Sequence, residues 1–430
     1  MYNKLSPSSN KVINGWCMYD WANSVYSLVI TTAIFPIYFN SVTTSLDGSY
    51  IVSFFGIQIV NSVLYSYSLS FSFLLLTIIQ PILSGIADYV GRKKLFLKIF
   101  MYLGSASCIS LYFFDGSNIE FGIICSVLAS LGFSGSLVFY NAFLPEIVSR
   151  DKFDRVSARG YSFGYIGSVI LLIICLVLIT FYDFFGFSNS ALATRFTFLL
   201  VGIWWIIFSQ ITFITVPEVI KNQKISFSIL SYGINELIKV WNYLKNVRNL
   251  KLFLFSFFFY SMGVQTVMLI ASYFGSKELN LDQNKLILTI LIIQIVAIFG
   301  AYFFAYISKY KGNKFSLIIM NILWIIICIS AYFIQDENQF YLLATTVGLV
   351  MGGIQSLSRS TFSKLIPIEI EDNASFFNFY AISYNMSIVL GTFSYGYIEQ
   401  ITGSMRISTL VLASYFLIGL VILLFVKIKK

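Results

Sequence analysis

The chain has 430 residues, of which 58% are hydrophobic, 18% aromatic and 11% charged, with a formal net charge of +9 and no histidine. A soluble domain carries about a quarter charged residues, so this composition, with a mean hydropathy of +0.82, excludes a water-soluble globule and calls for lipid as the solvent. No imidazole can relay protons or hold a metal, and Cys17, Cys108, Cys125, Cys175 and Cys328 sit singly in or beside apolar runs, as small hydrophobes and not as a disulfide frame or metal site.

A bilayer takes about 20 apolar residues per helical span. Apolar runs between polar breaks predict spans at 20–40, 63–86, 96–114, 119–143, 161–182 and 196–216, then at 252–273, 286–308, 315–334, 340–362, 375–398 and 407–426. The first run is too long, and lacks a small-residue cleavage site after a basic start, for a cleaved signal peptide.

Span one opens on "MYDWANSVYSLVITTAIFPIYF", with Asp20 at its mouth. Ser24, Ser27 and Thr31 follow Asp20 at helical spacing on one face, with Asn23 adjoining, while Trp21 and Tyr26 are candidates for aromatic walls. After span two comes "SGIADYVGRKK". There Ser84 and Gly85 allow close helix approach, and Asp88 suits a helix N-terminus or a basic partner. Gly91 permits a tight turn, and Arg92, Lys93 and Lys94 stay in the cytoplasm. Span four carries Ser130, Ser134 and Asn141, with Glu146 just beyond. Gly160, Gly164 and Gly167 in span five are spaced for tight packing.

Residues 217–251 divide the chain, and Leu237, Ile238, Trp241 and Leu244 recur there at helical spacing, as in an interfacial amphipathic strap. Span seven has Ser261, Gln265 and Ser272, with Met268 between. The turn "SKYKGNK" at 308–314 is a degenerate echo of the first basic loop, with Ser308 in place of the aspartate. Span ten aligns Thr345, Gly348, Gly352, Gln355 and Arg359 on one stripe.

The most polar stripes therefore fall on spans one, four, seven and ten. Lipid does not tolerate them, so they face a water-filled path or one another. A single hydroxyl is ordinary interhelical glue, but Asp20, Gln265, Gln355 and Arg359 together point to a cavity. An arginine in a low-dielectric path needs a partner. Asp20 or Glu146 supplies one across the bundle interface, as a gate; the alternative is that Arg359 snorkels to headgroups as an anchor. Asp20, the one carboxylate on a stripe, is equally a candidate site for a coupling proton or other ion.

Of the 28 basic residues, only Arg195, Lys277, Lys285 and Arg406 fall on the far side when both termini are cytoplasmic. The positive-inside rule thus fixes that orientation and absorbs the basic excess, leaving no case for a nucleic-acid partner. The halves also echo each other. "YSFGY" at 161–165 returns as "YAISY" at 380–384, Pro145 as Pro367, and Ser136-Leu137 as Ser356-Leu357. A common offset predicts two six-helix units, 1–216 and 252–430, joined by 217–251, with a substrate site between them.

Four stretches, "YDWANSVY" (19–26), "FYNAFLPEI" (139–147), "VSARGYSFGYIG" (156–167) and "GGIQSLSRSTFSKLIP" (352–367), resemble the vacuolar amino-acid effluxer-like, autophagy-related branch of the major facilitator superfamily, bacterial type. The resemblance implies an all-α membrane protein with the major facilitator fold, twelve transmembrane helices in two pseudo-symmetric six-helix bundles. It also implies a monomeric secondary transporter of a small solute, amino acids being suggested, that works by alternating access in a bacterial inner membrane. The chain departs from that pattern at Met262, where relatives often have an acid, which removes one carboxylate for ion coupling. No P-loop, nucleophile–base pair or metal cluster is present, so neither an enzyme nor a cofactor is expected. A permease for peptides or cell-wall fragments, and a non-transporting receptor or scaffold, are the alternatives.

Overall fold

The computed structural model describes residues 9–44, 50–218, 229–281, 283–367 and 373–428. The first half contains α1 (Asn10–Thr43), α2 (Asn61–Val90), α3 (Lys93–Ser110), α4 (Ile119–Ala142), α5 (Phe153–Thr180) and α6 (Ser190–Thr215). A connecting helix α7 (Ile229–Asn246) leads to α8 (Arg248–Leu279), α9 (Gln283–Lys311), α10 (Asn313–Phe333), α11 (Glu337–Leu365), α12 (Asn373–Thr402) and α13 (Met405–Phe425). Side-chain caps start several of them: Ser9, Asn118, Asn189 and Asp336 each accept a backbone N–H of the first turn, where no intrahelical acceptor exists.

All twelve predicted spans coincide with helices, but the helices run further. α1 begins ten residues before Asp20, so Asp20 is not at the mouth of the span; at 1.5 Å per residue it lies about 15 Å along the helix. A carboxylate with buried partners does not end a helix, and the charge is a poor marker of the boundary. Eleven helices among the described residues are long and apolar enough to cross a membrane. The remaining long helix, α12, falls short in apolarity because it buries Asn373, Ser375, Asn378, Asn385 and Ser387.

Two features were not foreseen. A hairpin of β1 (Ile51–Phe54) and β2 (Ile57–Val60) joins α1 to α2, tied down where Glu120 accepts the Phe55 N–H and where Asn61 reaches Asn40 and Thr43. Within α1, Tyr26–Ile34 is wound as a π-helix, ahead of Pro36, which cannot donate to the preceding turn.

Each half packs as a bundle: α1 lies against α5 and α6, and α3 against α4, while α9 lies against α11, and α13 against α8 and α10. The halves meet where α5 packs on α9 and α11, and where α12 packs on α2 and α4. α7 lies across the end of this seam. It buries Val240 and Leu244 and sets Tyr243 and Trp241 against Phe376 and Phe379 of α12, with ring centroids 5.7 and 5.8 Å apart. Ile238 and Trp241 remain half exposed, so the apolar stripe predicted for this strap is split between protein and surroundings. Residues 219–228 and the side chains of Leu237 and Ser272 lie outside the described part. The end of the molecule where α1 begins and α13 ends is called the termini side below, the opposite end the hairpin side.

Candidate functional site

Arg359 of α11 points across the seam into the first half and is only 2% exposed. Its Nη1 lies 3.1 Å from Asp20 Oδ2 and 3.4 Å from Asn141 Oδ1. Its Nε donates to Ser157 Oγ at 2.9 Å and its Nη2 to the Ser157 carbonyl at 2.8 Å. The Tyr140 hydroxyl donates to the same Asp20 oxygen at 2.7 Å. Three rings enclose the guanidinium, Tyr161 at 4.2 Å, Trp16 at 4.8 Å and Tyr140 at 5.6 Å from its carbon. Trp16 and Tyr140 stack at 4.5 Å, and the Trp16 indole N–H donates to the Tyr140 carbonyl. A planar, permanently charged group with three nitrogens engaged and aromatic faces around it tolerates burial. Gly160 makes the approach possible: a Cβ there would stand 2.4 Å from Asp20 Oδ2 and 2.8 Å from Arg359 Nη2.

Toward the termini side two further clusters bridge the halves. Asp88, at the end of α2, accepts the Ala374 and Ser375 N–H groups at the start of α12, at 3.2 and 2.7 Å. Lys93 pairs with Asp88 at 3.2 Å and with Glu146, whose carboxylate also accepts from Asn373. Gly91 makes the turn between them in the left-handed region, with φ 70°. Ser84, hydrogen-bonded to the Pro81 carbonyl, and Gly85 are buried just before it, whereas Arg92 is exposed. Lys93 is thus not a solvated cytoplasmic charge but a buried one with two carboxylate partners. Lys94 turns instead to the Phe213 and Val216 carbonyls at the end of α6. Its backbone N–H meets Glu218, whose carboxyl is pushed up by burial against the pull of Lys94.

The second cluster centres on Asp154, in the first turn of α5. It accepts from Lys364 at 2.7 Å, Asn313 at 2.7 Å and Ser308 at 3.0 Å. The turn at 308–314 is therefore not degenerate in structure. The carboxylate has moved to the facing helix, and Ser308 and Asn313 supply donors in place of an aspartate.

Nearer the middle, the Tyr165 hydroxyl donates to Gln355 at 2.8 Å across the seam, and Tyr384 to Gln265 at 3.0 Å within the second half. These tyrosines are the last residues of the two repeated motifs. Among the described residues, every hydrogen bond and ion pair joining the halves lies from the level of Tyr165 and Gln355 toward the termini side. The stripe on α1 runs from buried Asp20, through half-buried Ser24, to exposed Ser27, then to half-buried Thr31, whose hydroxyl is buried, and Thr345 is exposed on α11. Among the described residues, the polar contacts between the halves are thus confined to the middle and the termini side.

Of the residues singled out in the sequence, the structure brings together Asp20, Asn141 and Arg359, then Gln265 and Gln355 above them. Glu146 does not meet Arg359; it belongs to Lys93. Nor does Arg359 snorkel. Tyr26 and Trp21 do not wall the path: Tyr26 packs on Phe133 and Trp205 and Trp21 on Trp204, since both lie off the Asp20 stripe and turn into the first bundle. Asn23 is buried with its Nδ2 unpartnered. Met262 is buried against Gly391 of α12. Tyr140, Ser157, Tyr161, Trp16 and Asp154 were missed. The first three stand inside "FYNAFLPEI" and "VSARGYSFGYIG", so the motifs carried the signal, but aromatic and hydroxyl side chains in apolar runs announce no role.

The family model described as "Vacuole effluxer Atg22 like" matches residues 8–430. The chain is 32% identical to the uncharacterized MFS-type transporter YxiO of Bacillus subtilis over 96% of this chain and 94% of the relative. It is 24% identical to autophagy-related protein 22 of Coccidioides immitis over 93% and 84% of the two chains. Among solved structures it is similar to the major facilitator transporter FucP in its outward conformation, with a TM-score of 0.70, 12% identity and coverage of 97% and 98%. The human organic anion transporter MFSD10 (TETRAN) superposes with a TM-score of 0.71 and 12% identity, covering 97% and 99%. The structural likenesses show the major facilitator fold, and with the family match they make this multi-pass membrane protein a secondary transporter and not an enzyme. The chain belongs to the vacuole effluxer Atg22-like family of the major facilitator superfamily.

Proposed function

We propose that the protein is a monomeric permease for a small neutral or zwitterionic solute, amino acids being the first candidates, and that the Asp20–Arg359 pair is its termini-side gate. One observation carries the reading: the pair is buried and joins the two halves on the side where their polar contacts lie. Breaking such a pair by removing one partner costs about 3–5 kcal/mol while the other stays buried; when the halves part, water solvates both charges and the cost vanishes. The pair therefore favours the closed arrangement only while both members are present, which is what an alternating-access gate requires. The solute class follows from the path above the gate. Gln265, Gln355, Tyr165 and Tyr384 are uncharged hydrogen-bonding groups, and Asp20 and Arg359 are the charges at its floor.

The termini side is cytoplasmic in this reading, as the distribution of basic residues requires, and the membrane is the inner membrane of a bacterium. Reporters placed after Lys430 and near Asn280 should then appear on opposite sides. Reconstitution into liposomes with a panel of labelled amino acids, sugars and short peptides tests the function. Counterflow specific for neutral amino acids is expected; counterflow restricted to peptides, or none with any solute, overturns the substrate class or the transport reading respectively.

A further inference from the structure

The polarity of α12 is not used by the gate. Asn378 is 0% exposed, yet neither its Oδ1 nor its Nδ2 has a partner. Asn385, 2% exposed, leaves Nδ2 unpaired, and the buried Ser375 hydroxyl is also unpaired. Helical spacing sets their direction. Phe377 and Tyr380 pack on Phe362 of α11 and Phe257 of α8, at 5.2 and 4.1 Å, and Tyr384 reaches Gln265 of α8. Phe376 and Phe379 meet α7. Asn378 and Asn385, seven residues apart, occupy the remaining face with Ser375 at its edge, and that face turns to the first half, where α12 packs on α2 and α4. From α2, Gln80, 0% exposed, enters the crevice with α4, donates to the Gly135 carbonyl at 3.0 Å and leaves Oε1 without a partner.

Buried amides without partners are destabilising, and apolar side chains of the same shape would serve a permanently closed seam better. A protein with two working arrangements has a reason to keep them, because the same groups meet water in the other one. Resting on the alternating-access reading above, we infer that Gln80, Ser375, Asn378 and Asn385 line the termini-side half of the solute path once the gate is open, offering carboxamide and hydroxyl groups to a small polar solute. α12 is placed for this. It holds the midplane contact through Tyr384 and the latch to Asp88 through its first turn, and Asn378 lies between them.

Asn378→Cys in the full chain, in sealed vesicles, is treated with a membrane-impermeant maleimide from either side; the chain without the added cysteine gives the background, since its own five cysteines are buried. Labelling from the termini side alone is expected, accelerated severalfold by Arg359→Gln. Ser356→Cys, buried at the seam about one turn nearer the middle than Arg359, reports opening independently. If Arg359→Gln accelerates Ser356→Cys but not Asn378→Cys, or if labelling comes from the hairpin side, the inference is overturned while the gate stands. If neither accelerates, the gate reading fails, and the thermal stability of Asn378→Leu decides the inference: a raised Tm marks an amide held unsatisfied in a dry seam, and an unchanged or lowered Tm contradicts it.

Discussion

Arg359 and Gly160 are the residues on which the seal turns. The guanidinium reaches Asp20 only because helix α5 presents bare backbone at position 160, where any side chain would occupy the space of the ion pair. Gly160→Ala is therefore expected to separate the pair or force α5 away from α1, at an overpacking cost of about 1–3 kcal/mol. Transport should fall strongly, with a lowered Tm in detergent, whereas an alanine variant that transports and melts normally would show that the approach is less tight than described. In the sequence, Gly160, Gly164 and Gly167 were legible as packing residues because small residues at that spacing have one common use. The partner of Arg359 was legible only as a choice between two acids. Glu146 lost to Asp20 because Lys93 and Asn373 claim it, and neither contact leaves a mark in local sequence.

At the scale of elements, the span pattern was plain because lipid demands long apolar helices, and the positions of α1 to α6 and α8 to α13 follow from it. What the pattern hid is instructive. The first-half loop announces itself through Asp88 and a run of basic residues, while its second-half counterpart, with Ser308 and Asn313, looks like decay. The structure assigns the charge to Asp154 on α5, a residue 154 positions earlier than its hydroxyl donor in the chain, so no local motif could reveal it. Asp154→Asn leaves Lys364 without its carboxylate and Asn313 with a weaker acceptor, a loss of about 1–3 kcal/mol from the closed arrangement. Thiol reagents should then reach Ser356→Cys faster from the termini side. No change in that rate would make the cluster a local brace of α5 and not a latch. The π-helical stretch of α1 and the β-hairpin were equally hidden, the first because i+5 bonding has no compositional signature, the second because its short strands lie in a segment that reads as a loop.

At the scale of the whole molecule, the polar contacts that join the two halves among the described residues are asymmetric: they cross the seam from Tyr165 and Gln355 toward the termini side. That asymmetry, in a chain whose halves repeat, is how one arrangement of a two-state carrier looks when its closed end is held by a buried pair. A shift from 1:99 to 99:1 between two arrangements takes about 5.5 kcal/mol; loss of one buried charge, at about 3–5 kcal/mol, exceeds half of that and so carries a 99:1 mixture past the even point. The direct test is a charge-reversal cycle at the gate, read as counterflow in liposomes with the transported solute. Arg359→Glu alone places two acids at the seam and should abolish counterflow; adding Asp20→Arg should recover part of it by restoring an opposite-charge pair. Normal counterflow by the single reversal, or a double reversal as inactive as the single, would contradict the account.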